Sequence, residues 1–196
     1  MISRSAKTAA AIAITLPILC TGCDRQHIVR SVDGHTFVVP KADAIQSNIP
    51  WLPASQADGL MFILNPSEPP PKQIVVLLQE NGQVCGGAGR STYLGSMCGN
   101  PADNRRFDGA DYQSKLRKVP PQGNDIESFY VESESPNTYV ASCVSSPTKS
   151  PELGDLCSSI GQYKNLRYTI GFREKIVGQL PDLTKKANML LQSWER

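Results

Sequence analysis

The chain has 196 residues, with 20 Lys+Arg against 18 Asp+Glu, two histidines and six cysteines. Arg4 and Lys7 stand in an apolar leader without acids, so the rest carries eighteen charges of each sign, with no net excess to steer it to nucleic acid or anionic lipid. Two histidines set a low ceiling on histidine-dependent catalysis and metal binding, and no CxxC or HxxxH spacing suggests zinc.

Residues 1–22 have the three parts of a secretory signal: Arg4 and Lys7, an apolar run from Ala9 to Leu19, and small Thr21 and Gly22 before Cys23. A permanent membrane helix needs about 20 apolar residues, so the leader is expected to be cleaved. Cys20-Thr21-Gly22-Cys23 resembles the lipobox of bacterial lipoproteins, with Cys20 standing where Leu is usual. That resemblance implies an acylated Cys23 as the new N-terminus; the plainer alternative is an ordinary secretory signal that leaves Cys23 a free thiol. Asp24 resembles the residue that retains lipoproteins in the inner membrane of enteric-type bacteria. The expected address is the cell envelope, facing the periplasm and anchored by lipid, with the inner membrane favoured over the outer.

The remaining 174 residues suffice for one hydrophobic core. The expected organisation is a signal peptide over 1–22, a lipidated tether over 23–27 and a single β-rich periplasmic domain over 28–196. Four body cysteines in an exported chain read as two disulfides with three possible connectivities. Cys85–Cys98 and Cys143–Cys157 are favoured, because each pair closes a short Gly/Ser/Pro-rich loop, for about 3 kcal/mol of unfolded-state entropy.

The body opens with Ile28–Val32 and His35–Val39 about Asp33-Gly34, which predicts a β-hairpin with a type I′ turn. His27 falls in the tether, and His35, beside the turn, is expected to be exposed. Trp51 lies in Ile49-Pro50-Trp51-Leu52-Pro53, where flanking prolines keep the backbone extended. It reads as a plug for one end of the core or as a rigid aromatic contact for a partner. Gly59–Leu64 and Gln73–Gln79 are apolar runs without alternation and predict central strands covered on both faces, joined by a stiff polyproline-type loop over Ser67–Lys72.

Asn81 to Gln122 is a polar excursion broken by short candidates at Ser91–Leu94 and Tyr112–Leu116. Ser128–Glu132 and Tyr139–Val144 read as strands about Pro136-Asn137. Leu166–Phe172 alternates, with Leu166, Tyr168, Ile170 and Phe172 on one face. A helix starts near Pro181 or Asp182, with Leu183, Ala187, Leu190, Leu191 and Trp194 on its apolar side. The fold class is therefore α+β, a mainly antiparallel sheet with a C-terminal helix packed on it and two disulfides.

Chemical motifs are sparse. Gly95-Ser96-Met97-Cys98-Gly99 places Ser one position too early for a nucleophile elbow. Cys85-Gly86-Gly87-Ala88-Gly89-Arg90-Ser91 could cradle an anion but fits neither the P-loop nor the dinucleotide fingerprint. Asp103, Asp108 and Asp111 lack the calcium-loop spacing. No metal, cofactor or catalytic residue is expected, and a non-enzymatic protein that binds another protein is.

In overall plan the chain resembles the envelope lipoproteins that bacteria use as immunity proteins against lipase-type effectors of type VI secretion. That resemblance implies a membrane-tethered inhibitor that occludes its effector. The contact residues expected from the sequence are Trp51, Arg90, Arg105, Arg106 and Asp108, a mix of aromatic and charged groups suited to partner specificity, although such arginines are commonly ordinary surface. A structural or assembly lipoprotein of an envelope secretion or conjugation complex is the other reading.

Overall fold

The computed structural model describes residues 27–45, 59–87, 92–102, 112–121, 126–145 and 154–196. The hairpin forms as expected, from β1 (His27–Val32) and β2 (His35–Pro40), with Asp33 at φ 45° and Gly34 at φ 81° supplying the two positive angles of its turn. His27, assigned to the tether, is the first residue of β1 and lies opposite Pro40. The hairpin is a sheet of its own, and it buries Val32, Phe37 and Val39 in the main core.

A seven-stranded antiparallel sheet carries the rest. It consists of β3 (Leu60–Ile63), β4 (Val75–Glu80), β5 (Leu116–Val119), β6 (Glu127–Glu132), β7 (Tyr139–Val144), β8 (Leu156–Tyr163) and β9 (Leu166–Arg173), in the spatial order β3-β4-β9-β8-β7-β6-β5. The expected positions of β3 and β4 need correction. β3 is an edge strand and β4 its neighbour, and both bury alternate residues on one face rather than two. The outer rim of β3 is covered by the chain after the hairpin, where Ile45 N donates to Met61 O at 3.0 Å and Ile63 N to Asp43 O at 2.8 Å. That pairing protects the edge from joining other strands. The loop between β3 and β4 is not extended throughout either, since Pro70–Lys72 forms a 3-10 turn.

The central strand is β8, read from the sequence only as part of a disulfide loop. Its Ser158, Ser159 and Gly161 hide its strand character, and the neighbours of Ser159 and Gly161 explain why those two are buried. Ser159 Oγ donates at 2.6 Å to Val140 O, at the point where the β6–β7 register shifts. Gly161 lies under the ring of Tyr168, and a Cβ there would come within 2.2 Å of that ring. Cys143 and Cys157 are register partners on adjacent strands and form one disulfide.

One face of the sheet presents Leu166, Tyr168, Ile170 and Phe172, as their alternation predicts, and the C-terminal helix α3 (Leu180–Trp194) packs on it together with the hairpin. Leu180, Leu183, Ala187, Leu191 and Trp194 are buried, and Trp194 meets Phe62 edge-on at 5.0 Å. The other face carries α1 (Asn81–Cys85) and α2 (Thr92–Gly99), inside the stretch expected to be a polar excursion, joined by the disulfide Cys85–Cys98 with a Cα separation of 5.9 Å.

Candidate functional site

The second face of the sheet carries a concave surface beside its two helices. α2 is fixed at three points. Its Cys98 is bonded to Cys85 at the end of α1, and the Cys98 carbonyl accepts from Arg167 Nη2 of β9 at 3.2 Å. Ser96 Oγ donates to Asn137 O at 3.1 Å and accepts from Tyr139 N at 3.0 Å, so the hydroxyl of the GSMCG motif is used to hold α2 against the start of β7. Met97 and Cys98 pack on Ile160 of the central strand.

Beside these helices runs a groove of about 280 Å³. Val84, Tyr93, Leu94 and Met97 form its wall, and Gln79, Glu127, Ser142, Ser158, Ile160 and Thr169 form its floor. Tyr93, Phe129 and Tyr139 make an aromatic cluster at its margin, with ring centroids 4.9 Å apart for Tyr93–Phe129 and 5.4 Å for Phe129–Tyr139. All three are only partly buried. A fixed wall of aromatic and thioether side chains over a floor of hydroxyls, an amide and one carboxylate suits recognition of a protein chain, in which apolar anchors and hydrogen-bonding groups alternate.

The titratable side chains concentrate elsewhere, in two clusters that join elements. At the hairpin-turn end, the Glu195 carboxylate, just past α3, accepts from His35 Nδ1 at 2.6 Å, Tyr163 OH at 2.7 Å and Lys164 Nζ at 2.6 Å. His35 Nε2 donates to Asn165 Oδ1 at 2.7 Å, and Asn165 Nδ2 donates to Asp33 Oδ2 at 2.8 Å. The Asp33 contact fixes which way the amide points, so both ring nitrogens of His35 face acceptors, an arrangement that favours the protonated ring. Hydrogen bonds from Lys164, then His35 and Tyr163, hold the Glu195 carboxyl down at about 2. The bonds to Glu195 and Asn165 raise His35 above its ordinary value, and burial, with the bond to Glu195, pushes the Tyr163 phenol up to about 12. The expectation that His35 is merely exposed is thus corrected: its side chain is 18% accessible and doubly bonded.

At the opposite end of the sheet, Glu174 takes Lys118 Nζ and Tyr130 OH on one oxygen and the Asp155 N–H on the other. Burial pushes this carboxyl up, but the hydrogen bonds from Lys118 and Tyr130 outweigh it and leave it below its usual range. Burial first, then the bond to Glu174, raises the Tyr130 phenol. Both clusters join separate strands and turns, and the second lies on the side of the sheet that carries α3.

The four body cysteines pair as the sequence favoured. Cys23, Trp51, Arg90, Arg105, Arg106 and Asp108 lie outside the described residues. Sequence reasoning missed the groove residues Tyr93, Met97, Phe129 and Tyr139. The available signal was Tyr93, Leu94 and Met97 at one-turn spacing beside a cysteine, obscured by Gly95 and Gly99. Among the described residues no group of three or more His, Cys, Asp and Glu could hold a metal ion, and no helix is long and apolar enough to cross a membrane.

No protein-family model matches the chain, and no curated protein matches it. Among solved structures, it is similar to Smlt3025, an immunity protein of the Stenotrophomonas maltophilia type IV secretion system, with 10% sequence identity and a TM-score of 0.48 over 87% of this chain and 94% of that one.

Proposed function

We propose that the chain is an envelope lipoprotein, anchored through Cys23, that binds a protein partner in the groove between the disulfide-linked helices and the sheet, in an immunity or inhibitor role. The observation that carries this is the groove itself: Tyr93, Leu94 and Met97 on a wall fixed by Cys85–Cys98, beside the partly buried rings of Phe129 and Tyr139. Such a wall is ordered before a partner arrives, so little conformational entropy is lost on binding. On this reading the protein acts by covering the partner's working surface and needs no chemistry of its own. A secreted lipase-type effector is the partner proposed, with Trp51, Arg90, Arg105, Arg106 and Asp108 as additional contacts. The organisation that goes with it is a cleaved leader over 1–22, a tether over 23–26 and one periplasmic domain that begins with His27 of β1.

Leu94→Asp puts a charge on the groove wall, outside the main core. Tagged full-length protein should recover a stoichiometric partner from envelope extract, and Leu94→Asp should weaken that association at least about 30-fold, as loss of an interface hot spot does. Retained association, with unfolding of the variant matching wild type, removes the groove from the model. Cys23→Ser should move the protein from the membrane to the soluble periplasmic fraction, and persistent membrane association would place the anchor elsewhere.

A further inference from the structure

The chain's charges balance in total but not in placement. At the end of the sheet where β3 passes to β4 and β9 ends, a groove of about 480 Å³ is lined by Lys72, Arg173 and Lys175, with Ile74 and Ile176 behind them. Glu68 is the acid among the described lining residues, so the groove itself carries an excess of two positive charges, while Glu174 and Asp155 at the same end are engaged with Lys118. Neither Lys72 nor Lys175 has an ion-pair partner among the described residues. The loop that bears Lys72 is cross-braced. Asn65 Oδ1 accepts from Ile74 N at 2.8 Å while its Nδ2 donates to Lys72 O at 3.1 Å, Gln73 Nε2 donates to Glu68 O at 2.9 Å, and Arg173 Nε donates to Pro71 O at 3.1 Å. The cations therefore stand on a fixed frame.

The same end exposes apolar side chains. Leu156, the register partner of Arg173, is 52% accessible, and Ile126, just before β6, is 68% accessible. It is also the end at which β1 begins. His27 lies opposite Pro40, whose carbonyl accepts from Asp43 N and Ala44 N, and the Asp43 carbonyl accepts from Ile63 N at the head of the braced loop. The hairpin turn lies at the far end, tied to Asn165. Three residues separate His27 from Cys23, a reach of about 14 Å at full extension.

We propose that this end faces the bilayer and that the Lys72–Arg173–Lys175 groove seats the phosphate of an anionic phospholipid headgroup, with Leu156 and Ile126 entering the interfacial layer. The orientation rests on the reading that Cys23 is acylated. A phosphodiester accepts charge-assisted hydrogen bonds from ammonium and guanidinium groups. Exposed apolar side chains beside cations are the composition that binds at a membrane surface, and a basic patch supplies a second signal beside an acyl chain.

The test separates the two readings. The mass of the protein purified from the envelope reports acylation of Cys23 directly. Cosedimentation of the mature chain, residues 23–196 carrying Cys23→Ser, with phosphatidylcholine vesicles or with vesicles that also contain phosphatidylglycerol, reports the groove without the leader or the anchor. The groove's excess of two positive charges predicts a preference for the anionic vesicles at low salt of at most roughly 30-fold, reduced by the carboxylates at the same end. Lys72→Gln with Lys175→Gln should abolish that preference; Arg173 is kept because it holds Pro71. Equal binding to both vesicles, or a preference unchanged in the double variant, overturns the proposal. Displacement by inorganic phosphate at matched ionic strength overturns it too, since that outcome marks a free-phosphate site. An unmodified Cys23 with the preference intact instead sinks the anchored orientation.

Discussion

Neutralising Glu195 should loosen the attachment of the N-terminal hairpin to the body, with a pH dependence set by the cluster around it. The carboxylate lies one residue beyond α3 and is bonded at once by His35 of β2 and by Tyr163 and Lys164 at the end of β8. Its side chain is 15% accessible. A carboxyl held at about 2 instead of 4.5 corresponds to about 3 kcal/mol of preference for the charged form. Solvent at the rim of the cluster reduces this to about 1–2 kcal/mol. Glu195→Gln keeps the shape and removes the charge, so the melting temperature should fall by about 3–6 °C for a domain of this size. The backbone pairing of Phe37 with Glu195 and the bond from Arg196 N to Thr36 O should remain, because neither uses the side chain.

The signs of the two shifts define the window. The Glu195 value is lowered, so its contribution is complete above 4.5 and is lost as pH falls through about 2. The His35 value is raised, so its contribution is complete below 6.5 and is lost as pH rises through its folded value. The gap between wild type and Glu195→Gln is therefore widest between pH 4.5 and 6.5 and narrows on both sides. Urea unfolding at about pH 3, about 5.5 and about 8.5 reads the gap, and amide exchange in β1 and β2 shows whether the hairpin is the part that loosens. An equal gap at all three values, or a variant as stable as wild type at pH 5.5, would refute the reasoning.

Three further outcomes follow from the packing. Gly161→Ala should destabilise the domain by about 1–3 kcal/mol, because the new Cβ collides with Tyr168, which is fully buried and cannot swing aside; a variant that melts with wild type would show that Tyr168 has room to move. Replacing Cys143 and Cys157 together by Ser should cost about 3 kcal/mol, while the same exchange at Cys85 and Cys98 should chiefly increase amide exchange in α1 and α2. Ending the chain at Gly178 removes α3 and uncovers Tyr168, Ile170 and Phe172, so solubility should be lost; a soluble, cooperatively melting product would contradict the role given to α3.

The elements legible in the sequence are those whose burial pattern is local. Asp33-Gly34 encodes its turn, Leu166 to Phe172 alternates on its own, and the apolar stripe from Leu183 to Trp194 needs no neighbour to be recognised. β8 was not legible, because Ser159 and Gly161 qualify for a central strand only through Val140 and Tyr168, which other strands supply. The helices α1 and α2 were obscured for a related reason. Gly82, Gly95 and Gly99 each cost about 1 kcal/mol of helix propensity, and the disulfide and the bonds of Ser96 compensate. The groove is built from α1, α2 and five different strands, so no local pattern marks it. The unalternating runs of β3 and β4 misled in the opposite direction, since an apolar residue on the less buried side of a strand near a sheet edge looks in sequence like one buried on both sides.

The two surfaces proposed to bind lie on different parts of the fold. The cationic groove lies at one end of the strands, and the aromatic groove lies on a broad face between α2 and the sheet. With the Lys72 end toward the bilayer, the strands stand off the membrane and the aromatic groove opens sideways, along the membrane surface. A partner working at that surface would then meet Tyr93, Leu94 and Met97 without the domain having to turn over. The two surfaces share no lining residue, so Lys72→Gln with Lys175→Gln should leave affinity for the partner in detergent solution unchanged and weaken it on anionic membranes, whereas Leu94→Asp should weaken it equally in both. Equal loss in both settings for the lysine variant would mean that the cationic groove contacts the partner itself, and the division of labour between the two surfaces would fail.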